Sequence, residues 1–189
     1  EVLAEIVAAM DESGQLFDLA TAAARAPEIE TRRALLDLLG AFGRRAIHAL
    51  LAALDAAEHE EVVRELSRRL MDLGDVAVDP IRHALEHRQV KPTSAPHLLR
   101  ILAAAEGSSC LDILSRYMRH PTPLVRSTAL EVAMKASPMG ARPDVLAAIA
   151  DKDADVGRRA IRLMEQLLTK QPEGTVDGEY VTALLGVLG

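Results

Sequence analysis

The stretch Leu124-Val125-Arg126-Ser127-Thr128-Ala129-Leu130-Glu131-Val132-Ala133-Met134-Lys135-Ala136 decides the fold. Its apolar residues stand at 125, 129, 132, 133 and 136, the spacing of one buried stripe on an amphipathic helix. Pro121 and Pro123 precede it, and proline suits a first helical turn because its missing N–H would have no acceptor there. The pattern recurs. With Ala129 as anchor, the equivalent positions are Leu3, Ala34, Ser67, Leu98 and Ala160, and successive anchors are separated by 31, 33, 31, 31 and 31 residues. Four residues after the anchors stand Val7, Leu38, Met71, Leu102, Ala133 and Met164, all apolar. Three after stand Ile6, Asp37, Leu70, Ile101, Val132 and Leu163, a column that only Asp37 breaks. Self-similarity at this period marks an array of stacked units.

Glycine-bearing breaks follow the anchored helices at Gly14, Gly40 to Gly43, Gly74, Gly107, Gly140, and Gly174 with Gly178. Glycine supplies the left-handed backbone that ends a helix. A second apolar-striped helix is predicted after each break, over 14–25, 44–56, 75–87, 108–119, 142–150 and 177–188. Pro27, His59, Pro92-Thr93, Pro121 to Pro123 and Asp151 to Asp153 separate the units as turns and caps. The expectation is an all-α chain of about twelve helices without strands.

Val125-Arg126 with Ala129-Leu130 resembles the Val-Arg-x-x-Ala motif that opens the second helix of a HEAT repeat of the bacterial type. Val63-Arg64 is similar, Val156 to Ala160 carries the arginine shifted, and Thr31-Arg32-Arg33-Ala34-Leu35 is looser. Asp55 and Asp151 resemble the family's inter-helix aspartate. The resemblance implies an α-solenoid, a right-handed superhelix of HEAT-like hairpins, spanning 1–189 as one domain. It also implies that Arg126 and Arg64 pair with turn aspartates as rungs between repeats. In that frame 1–12 and 177–188 are half-repeats, which, with Glu1 rather than Met at the start, predicts a fragment excised from a longer chain.

Composition narrows the function. Among 189 residues 49% are hydrophobic, only 2% are aromatic and none is Trp, so the core must be aliphatic. The net charge of −6 gives no overall attraction to nucleic acid or anionic membranes, so neither is expected as a partner. Cys110 is the sole cysteine, no apolar run reaches the roughly 18 residues of a membrane span, and a cytoplasmic setting is the expectation.

Candidate binding residues lie on the outward faces of the anchored helices. Two residues after the anchors stand Arg69, Arg100, Glu131 and Arg162; two before stand Arg32 and Arg158. In a solenoid these would form a mixed, net-basic ridge on the concave side, suited to an acidic protein or peptide. The expectation is a non-catalytic interaction scaffold, with no cofactor and no catalytic residue. The rivals are an enzyme or enzyme subunit similar to bilin lyases or alkylated-base DNA glycosylases, and a structural oligomer whose seam is the apolar helix 177–188. With Tyr117 and Tyr180 the only tyrosines, the stacking residues of a base-flipping enzyme are scarce. His83-Ala84-Leu85-Glu86-His87 matches an inverted zinc motif, yet no third ligand stands at a recognisable spacing. His59-Glu60 occurs once, not repeated across units as in the HEAT-type di-iron hydroxylases.

Overall fold

The computed structural model describes residues 14–87, 90–169 and 178–188, the side chains of 187 and 188 excepted. Among these residues the chain is all-helical, without strands. The helices are α1 (Gln15–Arg25), α2 (Ile29–Ala41), α3 (Ile47–Ala56), α4 (Glu60–Asp72), α5 (Val78–Glu86) and α6 (Ala95–Glu106). They continue with α7 (Leu111–Tyr117), α8 (Pro123–Ala136), α9 (Pro138–Ala148), α10 (Ala154–Leu168) and α11 (Gly178–Leu188). The first of the expected helices, over 1–12, lies outside the described residues.

Two compact units divide the chain, one ending at Ile101 and the other beginning at Leu102, within α6. In the N-terminal unit α1 packs on α2 and α3, α3 on α4 and α5, and α2 on α4. Leu36, Leu39, Leu50, Leu54, Leu66, Leu70, Ile81 and Leu85 make its aliphatic core. In the C-terminal unit α8 packs on α7, α9 and α10, while α9 also touches α7, α10 and α11. Its core holds Ile113, Leu114, Val125, Ala129, Leu130, Ala133, Val145, Ala160 and Met164. Within each unit, odd-numbered helices therefore lie against odd and even against even.

Three breaks share one construction. Gly43, Gly74 and Gly107 adopt φ of 55°, 59° and 57°, the left-handed region that side chains resist, and each opens a single 3-10 turn before the next helix. These turns cover Gly43–Ala46, Gly74–Ala77 and Gly107–Cys110, so α3, α5 and α7 begin about three residues later than the apolar pattern alone predicts. The fourth break is built otherwise. Ser137 is extended, its Oγ accepts the Gly140 amide, and Pro138 follows at the first helical position, so α9 begins before 142. Asp153 caps α10 through the amides of Asp155 and Val156.

Helix starts correct the repeat register. Ala129 and Ala160 are each the seventh residue of their helix; in α2 and α4 that place belongs to Leu35 and Leu66, not Ala34 and Ser67. Ala34 is exposed, and Leu66 is fully buried. In the corrected register Asp37 stands where Glu131 stands, two after the anchor, and the break in the column three after the anchor passes from α2, where Leu38 now fills it, to Arg69 of α4. Arg32 moves to the place of Arg126, three before it.

Candidate functional site

An arginine in the interior needs a carboxylate or several carbonyls around it. Arg126, 4% exposed, has both: Nε and NH2 donate to the two carboxylate oxygens of Asp151 at 2.8 and 2.7 Å, and NH1 donates to the carbonyls of His120 and Pro121 at 2.9 Å. Asp151 in turn accepts the Asp153 amide at 2.8 Å. Burial alone raises the Asp151 pKa, but the Arg126 bonds, the Asp153 amide and nearby Lys152 outweigh it and hold the carboxyl below its ordinary value. This is the expected rung from a helix to the next break. Asp55 works alike on the backbone, accepting the Lys91 amide at 3.1 Å. Arg64 is no rung, since it is exposed and pairs with Glu60 one turn back in its own helix.

The candidate ridge residues divide by environment. Arg32, read as outward-facing, is buried at 7% and donates through NH2 to the Ala26 carbonyl at 3.0 Å. Arg69 pairs with Asp37 of α2, not with Glu65 of its own helix. Glu65 meets Arg33 at 3.9 Å. Arg100 is exposed and reaches the Pro96 carbonyl at 3.5 Å, and Arg158 pairs with Asp155 three residues earlier. Glu131 joins Arg159 across α8 and α10. Asp37 and Glu131 thus tie α2 to α4 and α8 to α10.

Of the six candidates only Glu131 and Arg162 are brought to one groove. It lies between α8 and α10, encloses about 600 Å³, and has Met134, Leu163 and Leu167 as an almost buried apolar lining. Lys135 and Arg162 stand exposed at its edge, and neither has an ion-pair partner among the described residues. Gln166 and Pro138 complete the wall. A cationic edge over an aliphatic floor is suited to an amphipathic segment bearing a carboxylate.

Sequence reasoning missed Arg159 and the apolar lining. The doublet Arg158-Arg159 was the available signal, but outward counting selects the first arginine, while only the second reaches α8.

Cys110 is fully buried at the start of α7 and reaches the Gly107 carbonyl at 3.1 Å. His87 Nδ1 lies 2.8 Å from the His83 carbonyl, which ties the second histidine of the zinc-like motif to its own helix. Among the described residues no three His, Cys, Asp or Glu side chains cluster as a metal site, and no helix is long and apolar enough to cross a membrane. Comparison with known protein families, with curated proteins and with solved structures finds no match for this chain.

Proposed function

We propose that the chain is a HEAT-like α-solenoid segment that acts without catalysis, as a scaffold holding an acidic, amphipathic protein segment on its even-numbered helices. The odd-on-odd and even-on-even packing within each unit supports the stacked-hairpin reading. The partner reading rests on one observation: Arg162 and Lys135 stand without ion-pair partners over the floor of Met134, Leu163 and Leu167. Affinity would come from the buried floor, and selectivity from a carboxylate on Arg162.

Fluorescence anisotropy with labelled amphipathic peptides, acidic and charge-reversed, tests this directly. The acidic set should bind more tightly, and Arg162→Glu should weaken it about tenfold. Equal binding of both sets, or indifference to Arg162→Glu, rejects the proposal. The superhelical arrangement is tested by small-angle scattering, which should give a radius of gyration above the roughly 16 Å of a compact globule of this length.

A second reading is self-association through α11. Val181 and Leu185 of that helix are 44% and 64% exposed, while Glu179 ties its start to Arg142 of α9. Light scattering of Val181→Glu/Leu185→Glu against the parent chain decides it, an unchanged mass ending the idea.

A further inference from the structure

Arg32 and Arg126 occupy the same place: each is the fourth residue of its helix, and each donates to the carbonyl six residues before it. Asp151 lies 25 residues after Arg126 and two before the α10 N-cap Asp153. The residue 25 after Arg32, and two before the α4 N-cap His59, is Ala57. Both carboxylates of the α10 break are thus replaced at the α4 break, Asp151 by Ala57 and Asp153 by His59.

Two kinds of donor are left over in consequence. Nε of Arg32, a side chain more than nine-tenths buried, has no hydrogen-bond partner. The α4 N-terminus has no side-chain cap, so its first amides lack the acceptor that Asp153 gives α10. Arg32 and the first residues of α4 line one cavity of about 880 Å³, together with Arg25, Glu58 and His59 among others. Glu60 is engaged by Arg64, whereas Glu58 and Glu61 have no ion-pair partner among the described residues. A polyanion would meet these carboxylates, but a ligand carrying a carboxylate beside a cation would satisfy both sets of charges.

We propose that this cavity is a binding site for a carboxylate accompanied by a cationic group, as in a free amino acid or a protein segment with Asp or Glu beside Lys. The ligand carboxylate takes the role of Asp151, accepting from Arg32 and the first amides of α4, while the cation lies against Glu58 and Glu61. Arg32 Nε is shielded from solvent, so this binding requires the guanidinium to turn toward the cavity.

NMR of the arginine Nε–H groups and backbone amides tests the site, with Arg32→Lys assigning the Arg32 resonance by its loss. The probes are glycine and 4-aminobutyrate, a blocked Asp-Lys peptide, succinate and inorganic phosphate. A saturable shift of Arg32 Nε–H and the amides of Glu60 to Val62 is expected with a zwitterion, at least about tenfold tighter than with succinate or phosphate. A shift with the free zwitterions alone identifies a small-molecule ligand, and one with the peptide alone a protein segment. Ala57→Asp restores the rung, so it should raise the melting temperature and weaken the zwitterion shift about tenfold or more. This variant serves even if Arg32→Lys does not fold. Absence of a saturable shift, a preference for phosphate or succinate, or undiminished binding in Ala57→Asp overturns the proposal.

Discussion

A guanidinium in an aliphatic interior is held by what surrounds it, and removing one partner costs more than the pair contributes. Asp151→Ala would leave Arg126 with carbonyls alone, at a cost of about 3 kcal/mol in chemical denaturation. The acid limb should change as well. Asp151 has its folded pKa below the unfolded value of about 3.9, so its contribution is complete above that value and is lost as pH falls through the folded pKa. Asp151→Asn should therefore be less stable than the parent at neutral pH and less sensitive to acid near pH 3. His97 behaves differently. Burial chiefly, then Arg100, lowers its pKa; Glu60 opposes and Arg64 adds to the lowering. The folded state binds fewer protons, so stability is full above the unfolded value of about 6.5 and declines as pH falls through the folded pKa. Between pH 7.5 and 5.5 the denaturation midpoint should fall more in the parent than in His97→Asn.

Helix α10 carries a glycine where propensity disfavours one. Gly157 is its fourth residue and costs about 1 kcal/mol relative to alanine in a helix interior. A Cβ there would lie 2.9 Å from the Ile149 carbonyl oxygen, a backbone atom with little room to yield. Gly157→Ala should thus destabilise by about 1 to 2 kcal/mol in thermal unfolding despite the propensity gain, and net stabilisation would contradict the close approach. At this scale the sequence is read well but not to the residue. The stripes place α8 and α11 to within a residue, whereas α7 begins three residues later and α9 four residues earlier than the apolar pattern predicts. The 3-10 turns after Gly43, Gly74 and Gly107 were hidden, because one turn of either helix carries the same apolar spacing. A one-residue slip at Ala34 and Ser67 then turned buried Arg32 outward and made Asp37 look like a defect. Breaks of unequal length do not announce which residue absorbs the difference.

For the molecule as a whole, the repeat foretells the all-helical class, and charge sets the next expectation. A chain of net charge −6 whose arginines are largely committed to carboxylates should not retard duplex DNA in a gel at low salt; a salt-sensitive shift would revive the glycosylase-like rival. The candidate site was half legible. Glu131 and Arg162 follow from outward counting, but the groove floor does not. Met134, Leu163 and Leu167 look like ordinary core until the packing of α8 against α10 leaves them at a surface depression.

Cys110 also makes the chain its own stopwatch. It is the only thiol, it has no exposed surface, and it closes the 3-10 turn that begins at Gly107. Labelling by a neutral alkylating reagent can proceed only when this turn and α7 come apart, so the labelling rate measures how often they do. If the rate climbs with urea as steeply as global unfolding, the start of α7 belongs to the last structure to open. A rate flat in urea would mean that this turn opens by a small local fluctuation.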